Sequence, residues 1–127
     1  MNKKLVKSLV LVTRLCGILA LAFGCIYTFG GNLPLACHIA PGALTLLALL
    51  ALSAIAYRRA PLRSLSGITI ALLTAVMGLA QNGASLASSE HPLGFMLGHV
   101  LLGISAIALA EMLAKRLRAG VTSEAIG

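Results

Sequence analysis

Four long stretches of the chain contain almost no charged residue, and this feature constrains the fold more than any other. Each is close to the roughly 20 residues that a helix needs to cross about 30 Å of hydrocarbon at about 1.5 Å per residue. Only 10% of the residues are charged and 59% are hydrophobic, whereas soluble domains have roughly 25% charged residues, so a soluble fold is excluded. The predicted membrane-spanning helices cover Leu9 to Phe29, Pro34 to Tyr57, Leu65 to Ser85 and Pro92 to Ala114.

The connections between these stretches are only a few residues long, so consecutive helices are expected to be antiparallel. The sequence therefore predicts an all-α fold. Residues 1–127 form a single transmembrane domain, an up-down bundle of four helices with both termini on the same side. The connections leave no room for a domain outside the membrane, so any function is expected to lie within the bundle.

All the basic residues fall at the same predicted end of this bundle. They precede or enter the first helix, fill the second connection and follow the fourth helix: Lys3, Lys4, Lys7, Arg14, Arg58, Arg59, Arg63, Lys115, Arg116 and Arg118. Because cytoplasmic loops carry an excess of Lys and Arg, both termini are expected to be cytoplasmic, in a multi-pass protein of a bacterial-type cytoplasmic (inner) membrane. Orientation in the membrane thus explains the net charge of +7, and nucleic acid is not an expected partner.

Histidines carry the candidate chemistry, because no nucleotide-binding glycine loop, no Cys-x-x-Cys motif and no pair of carboxylates inside a predicted span is present. His38 lies about one turn into the second predicted helix, and His99 lies about two turns into the fourth. Both helices run inward from the outer face, so the two residues are predicted at similar depths, roughly 6 Å and 10 Å below the helix starts. An ionisable side chain in hydrocarbon faces the bundle interior and is a functional candidate by default.

Two neutral imidazoles opposed across a four-helix bundle are what six-coordinate heme iron needs in membrane cytochromes b. Gly42 and Gly103 each lie one turn deeper than a histidine and on its face, so they are expected to leave space for the edge of the macrocycle. His91 is turned by roughly 80° from His99 and lies about 12 Å higher, near the headgroups, where heme propionates would also point. The residues therefore predict heme b with His38 and His99 as metal ligands, and Gly42, Gly103 and His91 as further cofactor contacts.

Other interpretations use the same residues. Glycines such as Gly94, Gly98 and Gly103 often mark close helix contact in membranes, and a histidine can simply donate a hydrogen bond to a facing carbonyl or hydroxyl. Metal-ion or proton handling by the histidines is a further alternative. A structural role and a ligand role are therefore both open on the residues alone.

Cysteines give a weaker signal near the same end. Cys25 and Cys37 would form a disulfide if their Cα atoms approached to about 4.4–6.8 Å, but both lie partly inside helices, so free thiols that pack as small apolar groups are preferred. With His38 and His91 they also supply ligand types for zinc or copper, although their spacing matches no recognised site.

Arg14 and Glu111 are the unusual charges of the cytoplasmic half. Arg14 lies about five residues into the first predicted helix, and Glu111 lies about one turn from the end of the fourth. Opposite charges at one depth predict an ion pair that fixes helix packing; alternatively, each side chain reaches the interface alone.

Short segments of the second, third and fourth predicted helices look like one half of heme A synthase. They are Cys37-His38, Ala75 to Gln81 and Leu97 to Gly103. That family repeats a four-helix unit with a heme-ligating histidine on the second and fourth helices, so the resemblance implies the ligand roles for His38 and His99. The family's catalytic half also has a glutamate one turn before the first of these histidines and an arginine directly after it, where this chain has Leu35 and Ile39. The resemblance therefore implies a cofactor-holding half, a small membrane cytochrome b module.

The leading functional expectation is a b-type heme protein for electron transfer or heme handling on the outer half of the bilayer. No self-contained catalytic apparatus is expected. One alternative is a cofactor-free accessory subunit of a larger respiratory or photosynthetic membrane complex; another is a half-sized heme-modifying enzyme. Expected partners are membrane lipid, other membrane subunits or a second copy of the chain, and quinone.

Overall fold

A computed structural model describes residues 3–29, 32, 34–58, 60–87 and 93–124. These residues form four helices, α1 (Lys3–Thr28), α2 (Leu35–Ala56), α3 (Pro61–Ala87) and α4 (Leu93–Glu124). Each helix is long and apolar enough to cross a membrane, over Lys4–Tyr27, Leu35–Ala56, Pro61–Ala80 and Met96–Arg118. The predicted all-α, four-helix membrane fold is confirmed.

Three helices extend beyond the apolar stretches that predicted them. α1 begins at Lys3, α3 begins at Pro61, and α4 continues to Glu124. Hydropathy marks the part of a helix that contacts lipid, whereas Lys, Arg, Leu and Ala all favour helix outside the membrane as well. Proline is also well suited to the first helical position of α3, where its missing N–H has no partner to lose.

The helices pack as a bundle in which α2 and α4 touch across the diagonal. Each helix contacts its neighbours along the chain, and α1 also contacts α4, whereas α1 and α3 do not meet within the described residues. The bundle therefore has a short diagonal between α2 and α4, the helices that carry His38 and His99. We call the end with the α1–α2 and α3–α4 connections the histidine end, and the opposite end the terminal end.

The dry core lies in the terminal half of the bundle. Its buried members are small or aliphatic side chains: Val6, Val10, Leu49, Leu52, Ala56, Ala71, Ala106, Leu109, Ala110, Leu113, Ala114 and Leu117. α2 and α3 also pack closely in this half, where a Cβ atom on Gly67 would overlap Ser53 Oγ. Tight packing in this half fixes the positions of the four helices relative to one another. The half that carries the histidines is more open.

The predicted Arg14–Glu111 ion pair is confirmed. Arg14 Nε of α1 donates to Glu111 Oε1 of α4, and the two side chains are 56% and 23% exposed. The pair ties α1 to α4 on the terminal side of the bundle, away from both described histidines.

Because an unpaired charge is unfavourable in hydrocarbon, Arg14→Gln and Glu111→Gln should each lower the thermal unfolding temperature. The double variant should lose less than the sum of the two single losses, since no charge is then left without its partner. Thermal unfolding in one detergent measures all four proteins of this cycle. Additive losses would show that the two side chains do not interact.

Candidate functional site

His38 is held against α1 in the first turns of α2. Its Nδ1 lies 2.7 Å from the backbone oxygen of Ala20. A carbonyl oxygen can only accept, so Nδ1 carries the proton and Nε2 keeps a free lone pair. A Cβ atom on Gly24 would lie 3.0 Å from both Cε1 and Nδ1 of this ring, so glycine there allows the ring to seat on α1.

The backbone around His38 is less constrained than that of an ordinary helix. Pro41 lies inside α2 and has no N–H to donate to the carbonyl of Cys37, four residues earlier. At the start of the helix, the Cys37 N–H donates to the carbonyl of Pro34 over 2.9 Å. The turn that carries His38 is thus joined to the rest of α2 by one helical bond fewer than usual.

His99 of α4 packs on α3 in a matching way. A Cβ atom on Gly78 would lie 3.1 Å from Cε1 of the His99 ring, and the ring also interacts with the backbone of Thr74. Its Nδ1 is buried and has no hydrogen-bond partner within the described residues. A buried polar atom without a partner is costly, so this nitrogen calls for an external ligand or proton partner.

The two imidazoles face each other across the short diagonal of the bundle. Their ring centres are 5.8 Å apart and their planes are inclined at 63°. Edge-to-face ring contacts fall at such distances, about 4.5–7 Å. Two imidazoles that bind one metal from opposite sides, with metal–nitrogen bonds of about 2 Å, also place their centres roughly 6 Å apart. The structure therefore brings together the two histidines that the sequence singled out.

A small cavity adjoins both rings in the histidine half of the bundle. Its volume is about 110 Å³. Its lining is almost entirely apolar and comes from all four helices and the residue after α1: Ala20, Leu21, Gly24, Cys25, Tyr27, Phe29, Leu35, His38, Gly78, Met96, His99 and Val100. Such a lining excludes water from the space beside the imidazoles.

Gly42 and Gly103 lie one turn deeper, against α1. A Cβ atom on Gly42 would meet Ala20 Cβ at 4.0 Å, and one on Gly103 would meet a methyl of Leu21 at 3.3 Å. Neither glycine is part of the cavity lining. Their contact with a macrocycle stays a prediction, and His91 lies outside the described residues.

Gly24 and Gly78 are the site residues that the sequence reasoning missed. Each places the backbone of one helix directly against the imidazole of the next helix along the chain. A usable signal was present for Gly24, which lies five residues before the end of the first predicted span, at about the depth predicted for His38. In both the α1–α2 and the α3–α4 hairpin, a glycine of the first helix therefore makes room for the histidine ring of the second helix.

Among the described residues, the cysteines belong to no metal-binding group. All three are free thiols, with Cys25 exposed and Cys16 and Cys37 partly buried. Within the described part of the chain, no three His, Cys, Asp or Glu side chains form a group that could hold a metal ion. A metal bound by protein ligands alone has no support here, whereas heme iron takes four ligands from its own macrocycle and two from the protein.

Comparison with protein-family models, with curated proteins and with solved structures gives no match for this chain. The site must therefore be interpreted from its own geometry.

Proposed function

We propose that the chain is a b-type heme-binding membrane protein that transfers electrons or handles heme, with His38 and His99 as the axial ligands. The observation that supports this most directly is the pair of imidazoles facing each other at 5.8 Å from helices that touch across the bundle. His38 has a free lone pair on Nε2, and His99 has a buried Nδ1 without a partner in the described residues. Both rings thus have a nitrogen for a ligand.

The donor set fits heme, and the cavity must widen to receive it. Gly24 and Gly78 support the two rings, and the remaining lining is apolar, as a macrocycle requires. The cavity of about 110 Å³ is smaller than the roughly 300–1,000 Å³ of typical ligand pockets, so side chains of its lining must move aside while the two rings keep their spacing. Met96 is a flexible lining side chain that can adapt to this change.

Bound heme supplies reversible one-electron chemistry at its iron. The chain contributes orientation and environment. The Ala20 carbonyl accepts the Nδ1–H of His38, which fixes the tautomer and ring direction and makes Nε2 a stronger ligand. The apolar lining keeps water away and lowers the local dielectric constant, which tunes the potential.

A heme-modifying reaction has less support than electron transfer. Leu35, which stands where the resembling family has a glutamate, lines the cavity. Ile39, which stands where that family has an arginine, is 55% exposed on the outside of α2. Neither position thus offers the charged group that the synthase reaction would need, and only Leu35 faces the cavity.

A visible spectrum of protein produced with ample heme and purified in detergent tests the proposal. The expected result is a stoichiometric, low-spin, six-coordinate b-type spectrum that persists after gel filtration. A purified, folded bundle that takes up no heme in titration would overturn the proposal and favour the accessory-subunit alternative.

The orientation proposed with this function has both termini in the cytoplasm of a bacterial-type inner membrane, because all ten Lys and Arg residues are on the side of the termini and the second connection. Reporter fusions after Arg59 and Arg116 should be active only in the cytoplasm, and a fusion after Glu90 only on the outer side. A cytoplasmic reporter signal at Glu90 would contradict this orientation and move the heme site to the inner half of the bilayer.

A further inference from the structure

Arg14 is a cation inside the membrane-spanning part of α1 that its protein partner satisfies only in part. It lies five residues, or roughly 8 Å, beyond the start of the uncharged stretch at Leu9. A guanidinium has five N–H donors, and in the described structure Arg14 uses one of them, Nε, with Glu111. The side chain is 56% exposed on the outside of the bundle. Its other donors therefore need an acceptor that comes from outside the chain.

Further cations surround Arg14 on the same side of the bundle. Lys7 is exposed seven residues earlier on α1, which places it on the same face two turns closer to the membrane surface. On α4, Lys115 is exposed one turn after Glu111, and Arg118 is exposed two turns after it. Because α1 and α4 are antiparallel and in contact, these residues form one surface, which we call the α1–α4 seam. It has four cations and one carboxylate.

The apolar surface next to the seam fits acyl chains. Leu11, Leu15 and Ile18 are exposed on α1 on either side of Arg14 along the helix, and they continue from the cations toward the bilayer centre. A soluble polyanion has no apolar part to cover these exposed side chains, whereas a phospholipid has acyl chains. A lipid phosphate at the interface is within reach, because the long Arg side chain can extend from its backbone position toward the membrane surface.

From these features we infer that the α1–α4 seam is a binding site for the phosphate headgroup of an acidic phospholipid in the leaflet at the terminal end. Arg14 donates to the phosphate with the N–H groups that Glu111 leaves free. Lys7 and Lys115 add attraction nearer the membrane surface, and the acyl chains lie along the exposed leucines of α1. This site is separate from the histidine pair and does not depend on heme.

Native mass spectrometry of the full chain, released from micelles with equal amounts of phosphatidylglycerol and phosphatidylcholine, tests the site. The wild type should retain phosphatidylglycerol preferentially. Arg14→Gln should reduce that preference about fivefold, the effect of one cation near an anionic surface, and Lys7→Gln should reduce it in the same direction. The matched control is Arg63→Gln, which removes one exposed cation at the same end from α3, a helix that does not contact α1 within the described residues.

Glu111→Gln separates lipid binding from a purely structural ion pair. It frees the whole guanidinium of Arg14 for phosphate. The preference of Glu111→Gln for phosphatidylglycerol should therefore equal or exceed that of the wild type, whereas the preference of Arg14→Gln should be lower. Equal losses in both variants would overturn the inference, as would an equal loss in Arg63→Gln, which would indicate diffuse surface charge. A dimer that Arg14→Gln dissociates would also overturn it, because a second copy would then occupy the seam. If Arg14→Gln does not fold, an unchanged preference in Lys7→Gln overturns the inference instead.

Discussion

Replacement of His38 or His99 by alanine is expected to abolish the six-coordinate heme spectrum. If heme binds as proposed, each variant would leave one histidine to hold the iron, so the spectrum would become five-coordinate, and the double variant should bind no heme at the site. The loss of affinity should exceed the roughly 10–100-fold cost of losing a hydrogen-bond partner of a ligand, because the proposed bond to the iron itself is removed. Heme titration followed by visible absorbance measures both the affinity and the coordination state.

His91→Ala is the control for this experiment, since the chain's third histidine is predicted to be too far from His99 to share its iron. It should keep the wild-type spectrum. If His91→Ala removes the six-coordinate signature while His38→Ala retains it, the ligand assignment is wrong.

Addition of one methyl group at Gly24 or Gly78 is expected to weaken heme binding severely. The new Cβ atom would lie 3.0 Å from the His38 ring or 3.1 Å from the His99 ring, so the ring must move. In Gly24→Ala that movement strains the hydrogen bond from His38 to the Ala20 carbonyl. The affinity should fall by about 10–100-fold, as for other losses of ligand orientation. Heme titration gives the affinity, and circular dichroism checks that helix content is unchanged.

Two further glycines give matched controls with the same chemical change. A Cβ atom on Gly94 would meet nothing within 4 Å, and one on Gly42 would be in ordinary contact with Ala20 at 4.0 Å. Gly94→Ala should leave heme affinity unchanged and stabilise the helix slightly, because alanine is the better helix former. Gly42→Ala should also leave heme affinity near the wild-type value. If Gly42→Ala strongly lowers heme affinity and Gly24→Ala does not, the edge of the macrocycle lies beside Gly42 instead.

The fold and part of the site could be predicted from the sequence because they depend on one-dimensional patterns. Apolar stretches of membrane length fix the number of helices, and residue counts fix the depths of His38 and His99. The same counting placed Arg14 level with Glu111, and the structure pairs them. Depth along a helix follows from a constant rise per residue, so it needs no knowledge of the neighbouring helices.

The rest depends on how far each helix is rotated about its axis. Whether Gly24 or Gly42 lies beside the His38 ring depends on which face of α1 meets α2 and on the diagonal contact between α2 and α4. The rotation of a membrane helix about its axis is set by packing against its neighbours. When a helix has glycines on several faces, the sequence does not show which face contacts which neighbour. The extension of α1 into its basic segment was missed because hydropathy reports lipid contact and does not report helicity.

Uneven packing along the bundle gives the two halves different mechanical roles. The tightly packed terminal half is expected to stay rigid, whereas the histidine half, which contains the cavity, is expected to open and close. Leu49, the first fully buried leucine of α2, lies eleven residues or about 16 Å below His38, so a tilt of about 10° at that level displaces His38 by roughly 3 Å. Such a tilt would let the proposed heme enter from the side while the terminal half stays packed. Amide hydrogen exchange should accordingly be fast around Cys25 and Met96 and slow around Leu113.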